Sequence, residues 1–344
     1  MNTAVLARET HSPLVELLEA EFAGAREALE HGPFAALDER HLDSSLLEPL
    51  RDFLGRPGKE FRARLVECAY SLAGGKGAPP TLLPWIVEIL HAGSLIVDDI
   101  EDGSPYRRGQ TALHVRYGLP LALNAGNWLY FWAESLIERL KVTPGIELAL
   151  HRTINRALLD CHRGQALDLT LRMSQLAQGE VPVAVATTTA LKTGRLMELA
   201  ASLGAITAGA PADRVAAIAH FASDLGVALQ MLDDVGGLYS ESRTHKGHED
   251  LRLSRPTWPW AWLAETLSEE RYRSLRCEAL EVEMHDRHPE HLAERLRAEL
   301  GVDPKARAHE CSMRAIARLK SQLGNSAALR ALCAEIGRLE RSYD

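Results

Sequence analysis

The sequence is poor in cysteine and lacks any pattern that would pair its cysteines. The chain has 344 residues and five cysteines, which are dispersed as Cys68, Cys161, Cys277, Cys311 and Cys333 and never form a C-x-x-C pair. An odd number at irregular spacing argues against a disulfide framework and against a zinc site. The pattern is typical of reduced thiols, and the sequence therefore predicts a cytoplasmic protein.

Basic charge and long apolar runs are lacking as well. Lysine and arginine number 39 against 47 aspartates and glutamates, which gives a net charge of −8. Because nucleic acids usually bind to a basic face, such a partner is not expected. No uninterrupted apolar run approaches the roughly 20 residues that cross a bilayer. The first residues also lack the basic-then-apolar pattern of a secretory signal, so neither a membrane span nor export is expected.

Period-two alternation of β-branched residues is missing, and helical periodicity takes its place. Apolar residues recur at intervals of three and four in nearly every long segment, as on one face of a helix. The segment 81–102 is apolar almost all round until its acidic end, which predicts a buried central helix. No repeat or linker divides the chain. The sequence predicts one all-α domain over 1–344, a bundle of about ten or more helices.

The stretch VDDIEDGSPYRRGQT at 97–111 places carboxylates at the end of an apolar helix and two arginines after them. Asp98 and Asp102 are four residues apart and so share one helical face. Buried carboxylates need a counter-charge, and Mg²⁺ takes one or two carboxylates together with substrate phosphates. Arg107 and Arg108 add guanidinium groups that suit phosphate oxygens. The pattern predicts a diphosphate site; a capped helix end with a solvated charge run is the alternative.

A second acidic stretch, QMLDDVGGLYSE at 230–241, ends another apolar helix. Two metal-binding faces suit a diphosphate leaving group held from both sides, because metal charge stabilises the negative charge that develops. Lys59 and Arg62 follow a glycine-rich turn suited to phosphate, and Lys192 lies in an otherwise apolar helix. The simpler alternatives are a snorkelling surface lysine for Lys192 and an ordinary core histidine for His91.

Six motifs together resemble those of the trans-isoprenyl diphosphate synthases, the polyprenyl synthetase family. In chain order they are GKEFR, EILHAGSLIVDDIEDGSPYRRG, HRGQALDL, LKTGRL, QMLDD and HKGHEDL. The resemblance covers a motif-bearing core of about 50–260 and leaves the C-terminal helices of 261–344 outside it. NAGNWLYF and HRGQA are most similar to the geranylgeranyl diphosphate synthases of fungi and animals.

The resemblance implies a role for individual residues that match the motifs. Metal ligands would be Asp98, Asp102 and Asp233, with Asp234 in support. The diphosphate of isopentenyl diphosphate would be bound by Lys59, Arg62, His91 and Arg108. The allylic diphosphate would be bound by Arg107, Lys192 and Lys246. The reacting centre would be lined by Lys192, Thr193 and Gln230.

The resemblance also implies a fold and a reaction. The fold would be of the isoprenoid synthase type, with helices around a central apolar cavity, and the protein would be a homodimer. The cofactor would be Mg²⁺, about three ions per active site, which Mn²⁺ can replace. The reaction would be the head-to-tail condensation of isopentenyl diphosphate with an allylic primer, which is dimethylallyl, geranyl or farnesyl diphosphate.

Product length in the family depends on side chains just before the first acidic motif and on a deeper layer. Gly93 and Ser94 occupy the first positions, where bulky aromatics would stop growth at farnesyl. The deeper layer would consist of Trp128, Tyr130, Phe131 and His162. Interpreted as a floor, these residues predict geranylgeranyl diphosphate as the product, with farnesyl diphosphate as the alternative product and plain core packing as their alternative role.

The chain departs from the family pattern in several places. Gly237 stands where the second acidic motif ends in an acid, Arg255 replaces a distal lysine, and the segment RPTWPW at 255–260 has no assignment. Asp233, Gly237 and Glu241 also match the spacing of a metal motif of class I terpene cyclases, which is one alternative function. A non-catalytic subunit of a heteromeric synthase is another. The preferred primer, the downstream pathway and the role of Glu241 stay open.

Overall fold

The computed structural model describes residues 12–30, 39–240, 243–285, 288–301 and 303–343, and within them the chain is almost entirely helical. The helices are α1 (Pro13–Glu30), α2 (Glu39–Leu42), α3 (Glu48–Leu54), α4 (Phe61–Leu72), α5 (Leu83–Asp102), α6 (Leu113–Tyr117), α7 (Leu119–Ser135), α8 (Pro144–Thr170), α9 (Val181–Thr189), α10 (Arg195–Thr207), α11 (Ala212–Tyr239), α12 (Thr244–Arg252), α13 (Trp258–Thr266), α14 (Glu269–His285), α15 (Glu290–Leu300), α16 (Ala306–Leu323) and α17 (Ala327–Glu340). The all-α prediction is confirmed.

Short irregular elements interrupt the helices. Two π-helical turns span Asp43–Leu47 and Ala190–Gly194, and 3-10 turns span Leu136–Leu140, Gln178–Glu180 and Arg341–Tyr343. Strands β1 (Tyr106–Arg107) and β2 (Gln110–Thr111) form an antiparallel hairpin. The sequence did not predict this hairpin, because two-residue strands are too short to show alternation.

The chain forms two compact units. Unit 1 consists of residues 1–60 and 85–139, and unit 2 of residues 61–84 and 140–344. The prediction of one domain over the whole chain stays a prediction. The first acidic motif lies in unit 1, and the second lies in unit 2.

Unit 1 is built on α5 and α7, which approach each other closely at two glycines. A Cβ added at Gly93 would lie 2.9 Å from the carbonyl oxygen of Gly126, and one added at Gly126 would lie 3.0 Å from the Cγ2 of Val97. The contact therefore requires small residues on both helices. The middle of α5 is buried, with Ile86, Val87, Ile89, Leu90 and Ile96 in the core, as the sequence predicted for this segment.

Unit 2 is built on α10, which packs against α4 and α11. Gly204 permits the contact with α4, since a Cβ there would lie 2.2 Å from the carbonyl oxygen of Val66. By length and composition α11 could cross a membrane, but 56% of its most apolar window is buried inside the protein. Its mean hydropathy is therefore explained by its place in the core, and the expectation of no membrane span is unchanged.

Candidate active site

The first acidic motif sits at a helix end whose backbone is closed by hydrogen bonds. Gly103 has a φ of +65°, and the amides of Gly103 and Ser104 donate to the carbonyls of Ile100 and Asp99 at 3.3 and 3.0 Å. This is a Schellman ending, which favours glycine at the left-handed position. It terminates α5 directly after Asp102 and turns the chain into the hairpin.

The hairpin brings Arg107 back to the acidic helix end. Its two-residue turn has positive φ at Arg108 and Gly109, as a type I′ turn requires. Nε of Arg107 donates to Oδ1 of Asp99 at 2.7 Å, and its Nη2 lies 3.6 Å from Oδ2 of Asp98. Arg107 therefore pairs mainly with Asp99, a carboxylate of this turn to which the sequence assigned no role.

The neighbouring aspartates differ in exposure. The side chain of Asp99 is 1% exposed, whereas that of Asp98 is 14% exposed, and Asp102 is half-buried. Burial raises the pKa of Asp99, and the hydrogen bond and charge of Arg107 partly offset this effect. Asp99 is therefore a structural partner of Arg107, whereas Asp98 and Asp102 are less deeply buried.

Arg56 anchors the hairpin, and sequence reasoning missed it. Its guanidinium is buried, pairs with Asp52 at 3.2 Å, and donates to the carbonyls of Arg107 and Thr111 at 3.2 and 2.9 Å. Arg108 donates in turn to the carbonyl of Arg56 at 3.2 Å. Both guanidiniums lie over the ring of Phe53, at 5.4 and 5.7 Å. The sequence signal for Arg56 was an arginine in the GRPGK stretch just before Lys59.

The remaining predicted diphosphate ligands of unit 1 lie near the same segments. Lys59 is exposed and follows Gly58, where an added Cβ would lie 3.3 Å from Nη2 of Arg108. His91 is half-buried on α5, and its carbonyl accepts a hydrogen bond from Oγ of Ser94 at 2.8 Å. The loop that holds Lys59 thus packs against Arg108. Arg108 in turn belongs to the hairpin that follows the acidic end of α5.

The residues predicted to set product length differ in their exposure. Gly93 is occupied by the α5–α7 contact, with Tyr130 nearby, so its lack of a side chain has a packing reason. Phe131 is 73% exposed and His162 is exposed with Nδ1 2.8 Å from the carbonyl of Leu158. In the chain alone, Phe131 and His162 therefore do not line an interior.

The deeper aromatic residues of α7 have ordinary packing partners. Trp128 stacks on Trp132 at 5.2 Å and lies 5.7 Å from the ring of Phe22. Tyr130 is half-buried. Ser94 and Tyr130 stay the better candidates for a length-determining contact.

In unit 2, Lys192 lies on a π-helical turn and belongs to a chain of alternating charges. Its Nζ donates to Oδ2 of Asp168 at 2.7 Å, and Arg255 lies 3.9 Å from Asp168 and 3.6 Å from Asp250. Burial raises the pKa of Asp250 to about 6, against the charges of Lys246 and Arg255. Lys192 is therefore not a lone surface lysine, and Asp168 is a second residue that sequence reasoning missed.

A separate chain of hydrogen bonds joins the residues predicted for the reacting centre. Oγ1 of Thr193 donates to Oε1 of Gln230 at 2.8 Å, and Nε2 of Gln230 donates to Oδ1 of Asp234 at 2.8 Å. Oδ2 of Asp234 accepts the backbone N–H of Trp258 at 2.9 Å. Burial raises the pKa of Asp234 to about 8, although both donated hydrogen bonds act the other way. Both oxygens of Asp234 thus accept hydrogen bonds, and its metal-supporting role stays a prediction.

Asp233 points to a different partner, Arg243, which the sequence did not single out. Nη1 of Arg243 donates to Oδ1 of Asp233 at 3.0 Å, and its Nη2 donates to the carbonyl of Ser342 at 3.2 Å. The guanidinium lies 4.5 Å from the ring centre of Tyr343, and burial raises the pKa of that phenol to about 12. The Asp233 side chain is still 36% exposed.

The two glycines after the second acidic pair are explained by close packing. A Cβ added at Gly236 would lie 3.3 Å from Cδ of Arg243, and one added at Gly237 would lie 3.1 Å from Cα of Gly247. In the opposite direction, a Cβ at Gly247 would lie 2.0 Å from the carbonyl oxygen of Gly237. The glycines thus let α12 and Arg243 approach α11. Glu241 lies outside the described residues.

Among the residues that the structure describes, no group of three histidine, cysteine or acidic side chains forms a preorganised metal site. The donors present are separate carboxylates with cations close by, which fits a metal that completes its shell with phosphate oxygens and water.

Comparison with known proteins decides the family. The chain matches a family model described as "Polyprenyl synthetase" over residues 43–291, which is more than half its length. The chain belongs to the polyprenyl synthetase family.

Relatives of this polyprenyl synthetase family member are moderately similar. A geranylgeranyl pyrophosphate synthase of Eremothecium gossypii is 36% identical over 129 residues, 37% of this chain and 40% of that protein. A terpene synthase of Matsumurasca onukii is 30% identical over 225 residues, 64% of this chain and 70% of that protein. Over the first relatives the matched part is 40–57% of their length, so the chain spans about half the length of these curated proteins.

The fold likeness extends over nearly the whole chain. A polyprenyl synthase from Caulobacter crescentus, solved with calcium and isoprenyl diphosphate, superimposes with a TM-score of 0.72 and 21% identity, covering 95% of this chain and 96% of that one. This likeness supports the fold.

Proposed function

We propose that this protein is a Mg²⁺-dependent prenyltransferase that condenses isopentenyl diphosphate head-to-tail with an allylic diphosphate and makes a short all-trans product. One observation carries the proposal: each unit has its own set of cations beside carboxylates. Unit 1 has Lys59, Arg107 and Arg108, and unit 2 has Lys192 and Lys246. A reaction of two diphosphates needs several cations to bind the negative charge of both substrates.

The carboxylates suit a hard divalent cation. Asp98 and Asp102 on α5, and Asp233 on α11, would hold Mg²⁺, about three ions in all, because oxygen donors and substrate phosphates form its preferred shell. When bound, Mg²⁺ supplies charge that stabilises the departing diphosphate. Asp99 and Asp234 would support the site without binding metal, since Oδ1 of Asp99 and both oxygens of Asp234 already accept hydrogen bonds.

The chain's own side chains would do the remaining work. Lys59, Arg62, His91 and Arg108 would bind the diphosphate of isopentenyl diphosphate, and Arg107, Lys192 and Lys246 that of the allylic substrate. Lys192 is held by Asp168, which fixes its direction before substrate arrives. The hydroxyl of Thr193 donates a hydrogen bond to Gln230. The lone pairs of the hydroxyl oxygen would therefore face the allylic cation as the carbon–oxygen bond breaks.

Product analysis tests the proposal. The purified protein is incubated with Mg²⁺, labelled isopentenyl diphosphate and each of dimethylallyl, geranyl and farnesyl diphosphate, and the products are dephosphorylated and separated by chain length. Geranylgeranyl diphosphate is expected, with farnesyl diphosphate as the shorter alternative. Release of a hydrocarbon or alcohol from the allylic substrate alone, with no elongation, would refute the synthase and favour a cyclase.

The cyclase remains the second candidate because one relative bears the name terpene synthase. The structure weakens its motif, since Gly237 is buried against Gly247 and offers no ligand between Asp233 and Glu241. A non-catalytic subunit is less favoured because Asp98, Asp102 and Asp233 are all present. It would be recognised by a chain that has no turnover alone but activates a partner.

In line with the family resemblance, we propose that the protein is a homodimer. We also propose that it is cytoplasmic. On α7 Phe131 is exposed, and on α8 Leu148 and Leu159 are exposed. An interface with a second copy of the chain would bury such apolar side chains. Light scattering after size exclusion measures the assembly. A species of twice the chain mass is expected. If Phe131 is buried in that dimer, its predicted role in product length is retained.

The pair of Arg243 with Asp233 predicts a lower Mg²⁺ requirement when the arginine is removed. Arg243→Gln removes the charge that competes with metal for Asp233, so the Mg²⁺ concentration for half-maximal turnover is expected to fall about threefold to fivefold, as for loss of a partly exposed ion pair. Arg318→Gln is the matched control, because Arg318 pairs with Asp224 on the same helix at 2.9 Å. An equal shift in both variants, or none in Arg243→Gln, would contradict the competition.

A further inference from the structure

We propose that Trp258 is a positioning residue, which fixes the direction of the Gln230 amide and of the Thr193 hydroxyl at the reacting centre; this inference rests on the proposed function. Trp258 belongs to the segment RPTWPW, which no motif explained. All the residues involved lie in unit 2.

Trp258 is the first residue of α13, and its backbone N–H has no partner inside that helix. Thr257 before it is extended, with φ −115° and ψ 170°, and Pro259 follows it. The first N–H groups of a helix need an external acceptor, and carboxylates are favoured there. The N–H of Trp258 finds Oδ2 of Asp234 at 2.9 Å, which ties the start of α13 to α11.

The side chain of the same residue makes a second tie. Its indole Nε1 donates to Oγ1 of Thr189 at 3.1 Å in a buried contact. Trp258 and Thr189 are only 9% and 7% exposed, and a buried indole N–H normally requires an acceptor. Trp258 therefore connects α11, through Asp234, with the last residue of α9.

Asp234 determines which way the Gln230 amide points. Both oxygens of Asp234 accept hydrogen bonds, Oδ1 from the amide nitrogen of Gln230 and Oδ2 from the N–H of Trp258, so the amide oxygen of Gln230 faces Thr193. The hydroxyl of Thr193 then donates a hydrogen bond to Gln230. The lone pairs of the hydroxyl oxygen can therefore stabilise positive charge on the substrate. If the amide flipped, Thr193 would accept from Gln230 and present its proton instead.

Thr189 and Thr193 bracket the π-helical turn Ala190–Gly194. Such turns are often found at functional sites because they shift side chains relative to a regular helix. Gly194 and Gly226 bring this turn close to α11, since a Cβ at Gly226 would lie 3.0 Å from Cα of Gly194. Trp258 bonds Thr189, the residue just before the turn, and Gln230 bonds Thr193 near the end of the turn. Four hydrogen bonds and the backbone of the π-helical turn thus close a ring through these residues.

The test compares conservative variants that keep the packing. Trp258→Phe removes the indole N–H and keeps a ring and the backbone N–H, and Thr189→Val removes the acceptor. Each is expected to lower kcat about tenfold, the order that loss of one buried hydrogen bond gives. KM for both substrates and the Mg²⁺ requirement are expected to stay within twofold. Trp262→Phe, one turn later on α13, is the control and is expected to keep full turnover.

The double variant of Trp258 and Thr189 separates positioning from general damage. Its kcat is expected to equal that of either single variant, because both remove the same hydrogen bond. Multiplied effects, a rise in KM alone, or wild-type kcat in Thr189→Val would overturn the inference. A wild-type protein that forms no prenyl diphosphate would instead sink the proposed function with it. Active wild type with an unaffected Trp258→Phe sinks only this inference.

Discussion

Asp98→Ala is expected to lower turnover by roughly 10³-fold, because a metal contact supplies several kcal/mol of transition-state charge stabilisation. The helix should survive the change. Asp98 lies 3.6 Å from Arg107, whereas Arg107 bonds Asp99 at 2.7 Å. The measurement is kcat with saturating Mg²⁺ and both substrates, beside the thermal midpoint of the variant.

The adjacent aspartate provides the contrast. Asp99→Asn leaves Arg107 without its main charge partner in a buried place, so it is expected to cost about 2 kcal/mol of unfolding free energy. Its turnover should fall far less than that of Asp98→Ala. Glu101→Gln removes the same charge from an exposed position of this turn and should change neither quantity much. Retained activity in Asp98→Ala would refute the ligand assignment.

The parts of the site that the sequence could predict depend on local geometry. Asp98 and Asp102 share a face because of their spacing alone, and the burial of α5 follows from its composition. Lys192 and Gln230 were placed by motif, and their partners then emerged from the fold. The helical class was predictable because every long segment has the same periodicity.

What could not be predicted depends on contacts distant in sequence. Arg56 holds a hairpin 51 and 55 residues away in sequence, and Trp258 bonds Thr189 across 69 residues. No spacing rule connects such pairs. Arg243 was likewise invisible, because its place beside Asp233 depends on the close approach of α12 and of the segment that holds Tyr343.

The second acidic motif shows how a local interpretation can mislead. From the sequence, Gly237 is the loss of an acid and therefore of a possible ligand. In the fold it is a packing position, where α11 and α12 meet backbone to backbone through Gly237 and Gly247. The departure of Gly237 from the motif thus has a steric cause, which the sequence alone does not show.

Gly237→Asp, the change that would complete the acidic motif, is therefore expected to destabilise the protein and not to improve metal binding. The new Cβ would lie 3.1 Å from Cα of Gly247, and a carboxylate in this buried place would lose its hydration. Overpacking together with the desolvation of a buried charge costs on the order of 3–5 kcal/mol. The thermal midpoint is expected to fall by at least ~5 °C.

Two further variants separate the causes of this loss. Gly237→Ala adds the Cβ without the charge and should cost about 1–2 kcal/mol. Gly24→Asp puts the same side chain at a mid-helix glycine with nothing within 4 Å of an added Cβ, and should leave the midpoint nearly unchanged. An unchanged midpoint in Gly237→Asp, together with a lower Mg²⁺ requirement, would mean that α11 and α12 do not close here in solution. Position 237 would then face the metal, as the terpene cyclase spacing of Asp233, Gly237 and Glu241 requires.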